Sequence, residues 1–119
     1  MSNTLNITDI QEKLRQFAKE RDWNQYHSPK NIAMALSVEA SELLEIFQWL
    51  TEEESASPNR DQLEKVQHEM ADVLLYLLRM ADIMQIDLVQ AATEKMALNA
   101  KRYPADKVKG SSKKYTEYQ

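Results

Sequence analysis

Apolar residues recur every third or fourth position through four stretches of this chain, and each stretch opens on residues that start helices. In the first, Thr8-Asp9-Ile10-Gln11 reads as a capping box, and Ile10, Leu14, Phe17 and Arg21 follow at helical spacing to about Asp22. Ser28-Pro29 reads as an N-cap with proline at the first helical position. The apolar residues Ile32, Leu36, Ala40, Leu43, Phe47 and Leu50 then mark a second helix. Ser57-Pro58 opens a third, with Leu63, Val66, Met70, Val73, Leu74, Leu77, Ala81 and Met84 on one face. Asp87-Leu88-Val89-Gln90 starts a fourth, which Pro104 stops. The acidic stretch from Thr51 to Ser57 reads as a loop. Helices this long joined by short connections predict an all-α, antiparallel four-helix bundle. One domain is expected over residues 1–104, followed by a basic, then polar, irregular tail over 105–119.

Glycine is nearly absent, and this limits function as well as fold. Gly110 is the only one among 119 residues, where average usage would give about eight. Phosphate-binding loops need two or three glycines in one short segment, so that backbone amides can approach the phosphates. That route to a nucleotide is closed here. Without cysteine there are neither disulfides nor thiolate metal sites, and His27 and His68 stand alone. A net charge of −4 argues against a nucleic-acid polymer as partner. No apolar run approaches a membrane span, and Met1-Ser2-Asn3-Thr4 does not begin a secretory signal, so a cytoplasmic protein is expected.

The acids are placed unusually. Glu39 falls at the margin of the second segment's apolar stripe, with Glu42 three residues on. Glu69 lies beside the stripe of the third segment, again with an acid, Asp72, three residues on. If these helices are antiparallel neighbours, four carboxylates converge, and like charges next to a core need a counter-charge. All-oxygen ligation suits Mg²⁺, with Mn²⁺ as a substitute, rather than zinc. Mg²⁺ also bridges carboxylates to phosphates, which gives an acidic protein a way to hold a nucleotide. The bland alternative is a solvated flank, the usual fate of a single E-x-x-E pair; two pairs on consecutive helices, both on the core side, weigh against it. Glu45 points away from its stripe and reads as solvated. His68-Glu69-Met70-Ala71-Asp72 lacks the second histidine of a zincin, and the E-x-x-H pairs of a di-iron bundle are missing.

Glu39-Ala40-Ser41-Glu42 followed by Glu69-Met70-Ala71-Asp72 resembles the E-x-x-E and E-x-x-D signature of the MazG-like all-α nucleoside triphosphate pyrophosphohydrolases. Glu20-Arg21-Asp22-Trp23, Phe47-Gln48-Trp49, Asp72-Val73-Leu74-Leu75-Tyr76-Leu77, the stretch from Asn99 to Pro104 and Lys113-Lys114-Tyr115-Thr116 are similar to its dCTP pyrophosphatase branch. The resemblance implies hydrolysis between the α and β phosphates, giving a nucleoside monophosphate and pyrophosphate. It implies Mg²⁺ held by Glu39, Glu42, Glu69 and Asp72. A carboxylate not fully used by the metal can take the proton of the attacking water, and Glu42 is the choice for this general base. The resemblance also places Trp23, Trp49 and Tyr76 around the base with His27 as a companion, and Lys95, Asn99 and Arg102 on the substrate. Lys113 and Lys114 are weaker candidates.

Leu75 and Leu78 lie outside the main stripe of the third segment, which predicts a subunit contact. With the family resemblance this leads to a homo-oligomer, a tetramer. Phe17 and Phe47 are expected in the core. Two alternatives stay open: the same chemistry on another pyrimidine or a noncanonical triphosphate, and a non-enzymatic helical interaction module.

Overall fold

A computed structural model describes residues 4–111. Among them there is no strand. Six helices follow one another: α1 (Ile7–Glu20), α2 (Pro29–Phe47), α3 (Glu52–Ala56), α4 (Arg60–Met84), α5 (Leu88–Arg102) and α6 (Ala105–Val108), with a short 3₁₀ turn (Asn24–Tyr26) before α2. Contacts within the chain cluster into two units, Met1–Gln85 and Ile86–Gln119.

In the first unit α4 packs on α2 and on α1. The Gln11 side-chain amide donates to the Leu78 carbonyl (3.0 Å), and Arg15 Nε donates to Asp82 Oδ2 (2.7 Å). Both partners advance by four residues together, so α1 and α4 run parallel. Along α2 the order reverses: His27, just before it, meets Arg79, while Glu39 meets Glu69 and Asp72. α2 and α4 are therefore antiparallel, as expected. The best-buried apolar residues come from all three helices: Ala18 on α1, Ile32 on α2, and Leu78 and Ala81 on α4. Leu78 thus belongs to the core rather than to an outer contact. Met70, Leu74, Leu77 and Met84 are instead exposed, because α4 turns its other face to α1 and α2.

The helix starts shift from their expected positions for one physical reason. Asn6, not Thr8, caps α1, with its side chain accepting from the Asp9 amide (2.8 Å) while Asp9 accepts from the Asn6 amide (3.3 Å). Asn59, not Ser57, caps α4 by the same reciprocal pairing with Gln62. Asparagine is a better cap than threonine and equals serine. In both cases the residue three positions on closes the box. Ser28 with Pro29 and Asp87 cap α2 and α5 as read. Thr51 and Glu54 form a further capping box, which makes α3 a helix where a loop was expected. α6 likewise adds one turn to the stretch read as irregular tail. Lys113 and Lys114 lie outside the described residues.

Candidate active site

α2 and α4 each bring an acidic pair to their seam. One carboxylate oxygen from each of Glu39, Glu69 and Asp72 lies within 4.8 Å of the other two, and all three residues are half-buried. Oε2 of Glu39 and Oε2 of Glu69 are buried with no hydrogen-bond partner. Ionised carboxylates only accept, so each of these oxygens needs a proton or a cation that its neighbours cannot supply. The Glu39 carboxyl is pushed up to about 7, chiefly because a proton on it would bond to Glu69, then by burial, then by Glu42. The trio is therefore able to hold a metal ion, and its oxygen-only donors select a hard one. Glu42 stands outside the trio, against Glu39, where its charge still reaches Tyr76.

Glu39 and Asp72 also line a cavity of about 630 Å³, within the range of small-molecule sites. Its α4 wall is Asp72, Leu75, Tyr76 and Arg79, one side of the helix taken over two turns. Ile10, Lys13, Leu14 and Phe17 face it from α1, and Trp23 and His27 from the connection to α2. The Tyr76 hydroxyl is raised by burial and by the charges of Glu39, Asp72 and Glu42, so it stays a neutral donor. Phe17 and Trp23 meet edge to face, ring centroids 5.6 Å apart. The Arg21 guanidinium sits 3.6 Å over the Phe17 ring. Phe17, expected in the core, is thus part of the cavity wall. Asp22, held in the left-handed conformation at φ 54°, turns the chain from α1 into Trp23.

At the other end of this wall Arg79 is only 8% exposed. Its Nε donates to His27 Nδ1 (3.1 Å) and its Nη2 to Asn24 Oδ1 (2.8 Å). Nη1 lies 3.6 Å from Asp82, which Arg15 also grips. Burial, then the Arg79 charge, lowers the His27 pKa. A larger groove of about 810 Å³ runs along α1 between Asp9, Lys13 and Lys19, but neither Glu39 nor Asp72 reaches it.

Of the residues singled out in the sequence, the structure gathers Glu39, Glu42, Glu69, Asp72, Tyr76, Trp23 and His27. Trp49 is 88% exposed and does not line the cavity. Lys95, Asn99 and Arg102 share one face of α5, in the second unit. The sequence pattern does not single out Lys13 or Arg79, which also line the cavity. For Arg79 a signal exists: it lies seven residues beyond Asp72 and three beyond Tyr76, on the acidic flank.

The model of the MazG-like family matches residues 34–118. dCTP pyrophosphatase 1 of Homo sapiens is 42% identical over 113 residues, covering 93% of this chain and 66% of the human protein. The Mus musculus protein of the same name is 41% identical over 114 residues, with 93% and 66% covered. The chain therefore spans about two thirds of the length of these relatives. A crystal structure of a pyrophosphatase from Archaeoglobus fulgidus superposes with a TM-score of 0.79 at 37% identity, covering 87% of this chain and 97% of that one. With a family match over most of its length, and about 40% identity to these relatives over 93% of its own residues, the chain belongs to the MazG-like family.

Proposed function

We propose that this chain is a Mg²⁺-dependent pyrophosphohydrolase that cleaves dCTP or a modified cytosine deoxynucleotide between the α and β phosphates. The observation that carries the reading is the acidic trio, with two buried unpartnered oxygens, at the end of an aromatic-walled cavity. The names of the human and mouse relatives and of the archaeal structure support it. Glu39, Glu69 and Asp72 would hold the ion; Glu42, the fourth ligand that the family resemblance implies, is the better candidate for the base, since it stands beside the trio. When bound, Mg²⁺ supplies charge neutralisation to the triphosphate and a water of lowered pKa.

The protein's own groups do the rest. Glu42 takes the proton of the attacking water, whose oxygen bonds to the α-phosphorus as the bridge to the β-phosphate breaks; pyrophosphate leaves with the bonding electrons. Tyr76, Trp23 and Phe17 offer flat apolar surface to the base. Lys95, Asn99 and Arg102 are assigned to the substrate on the family resemblance alone. The test is a panel of common and modified triphosphates, with pyrophosphate and phosphate detected separately, with Mg²⁺, with Mn²⁺ and with EDTA. Pyrophosphate and dCMP released from dCTP only with metal are expected. Turnover centred on another triphosphate would move the substrate assignment, metal-independent turnover would remove the ion from the reading, and absent turnover would remove the enzyme.

We also infer a homo-oligomer, a tetramer, working in the cytoplasm where nucleotides are pooled. Met70, Leu74, Leu77 and Met84 form an exposed apolar stripe on α4, and Trp49 is nearly bare, which suits a face covered by another copy. No helix among the described residues is long and apolar enough to cross a membrane. Light scattering that finds only monomer at micromolar concentration would refute the oligomer.

A further inference from the structure

Among the described residues Arg79 is the one buried charged side chain, and its setting differs from that of an anion ligand. It stands about 10 Å along α4 from Asp72, seven residues at about 1.5 Å each. Each of its three nitrogens already faces a partner: His27 Nδ1, Asn24 Oδ1 and the Asp82 carboxylate. Arginine stays protonated and only donates. Nδ1 of His27 must therefore be an acceptor, and the ring proton must sit on Nε2. Protonating the ring would set an N–H against an N–H and a cation against a cation. His27 lines the cavity, its ring centroid 6.4 Å from that of Trp23, and no hydrogen bond to its Nε2 occurs among the described residues.

We propose that Arg79 is a positioning residue that locks His27 as the neutral Nε2–H tautomer, so that His27 presents a fixed donor to an acceptor atom, a carbonyl oxygen or ring nitrogen, of a pyrimidine base in the cavity. The nucleotide part rests on the proposed function. The place along the helix favours base over phosphate: the acids hold the phosphate end two turns away, and the groups beside His27 are Trp23 and, next to it, Phe17. Lys13, Glu39 and Asp72 are the other charged groups lining the cavity. None of them bonds to the ring, whose charged neighbour is Arg79. A donor whose proton cannot migrate discriminates better than one free to switch, because an amine placed opposite it leaves two donors unpaired.

The lock is read by long-range ¹H–¹⁵N NMR of the full chain with labelled histidine, His68 serving as internal comparison. Wild type is expected to keep Nδ1 bare and Nε2 protonated from about pH 6 to 8. Arg79→Lys, which keeps a donor, retains this pattern, whereas Arg79→Met gives a mixture of tautomers. Adding the nonhydrolysable α,β-imido analogue of dCTP with Mg²⁺ shifts the Nε2 signal. In kinetics, replacing dCTP by its 2-thio or 3-deaza analogue lowers kcat/KM of wild type about tenfold or more for at least one of them, and the difference falls to about twofold or less in His27→Phe. A proton on Nδ1 in wild type, an Nε2 signal that ignores the imido analogue, or equal use of all three triphosphates overturns the proposal. A locked ring that responds to the imido analogue in a protein that hydrolyses no triphosphate upholds the inference and sinks the enzymatic reading instead.

Discussion

The two ends of the cavity are both polar clusters set between helices, and they are built on opposite terms. At the Arg79 end every strong group has a complement: guanidinium against imidazole, amide and carboxylate, with Arg15 closing the set. At the Glu39 end three carboxylates crowd together and two of their oxygens have no partner at all. A satisfied network of this kind holds its members in place. An unsatisfied one stores a demand that a ligand can meet. One end is thus scaffold and the other is the place where binding energy becomes available.

Breaking each end should therefore give different losses. The largest effect is expected from Asp72→Asn and Glu42→Gln, each lowering turnover of dCTP about a thousandfold, while circular dichroism shows the helices unchanged. Activity within tenfold of wild type for either variant would remove that residue from its role. Next comes Arg79→Met, which leaves Asn24 and His27 without their donor and should cost about 2 kcal/mol of stability in urea unfolding. Asp72→Asn should show no such loss, and a similar loss from both would erase the contrast between the ends.

The smallest effect is in pH dependence, where the ends have opposite signs. Glu39 holds its proton to about pH 7 in the folded chain but only to about 4.5 in its ordinary state. Folding takes up a proton in that window, so this group's contribution to stability is lost as pH rises from about 4.5 to about 7. His27, with its pKa lowered from 6.5, works the other way: it costs stability as pH falls below that value, where only the unfolded ring gains a proton. In EDTA, Glu39→Gln should raise the Tm relative to wild type by an amount that grows between about pH 5 and 8. Saturating Mg²⁺ should abolish or reverse the gain. A difference independent of pH would mean that Glu39 is not the strained group.

Much of this arrangement is legible in the sequence. Acids at three-residue spacing on the margins of two apolar stripes, joined by a connection short enough to make the helices neighbours, bring Glu39, Glu69 and Asp72 together. Helical class follows from spacing and caps alone. Periodicity tells which residues share a face but not which neighbour covers that face. This is why Leu78 reads as an outer residue and is core, and why Phe17 reads as core and is wall. Arg79 escapes for the same reason: a basic residue at the border of a stripe is usually solvated, and only the packing of Asn24 and His27 against α4 encloses it, while Lys13 stays exposed and borders the cavity from α1. The caps at Asn6 and Asn59 are lost to rival cap residues two positions away, a choice made by the reciprocal bond three residues on.

The left-handed turns at Asp22 and Gln85 carry a further consequence. Each is a position where glycine is the cheap solution, and this chain uses side-chain-bearing residues at both. The conformation costs these residues about 1–2 kcal/mol locally, yet it leaves the chain fewer alternatives than glycine would. The turn that aims Trp23 into the cavity is consequently a stiff elbow rather than a hinge. On the proposed function, a nucleotide arriving there would meet an aromatic wall already in place, and little conformational entropy would remain to be surrendered on that side of the site.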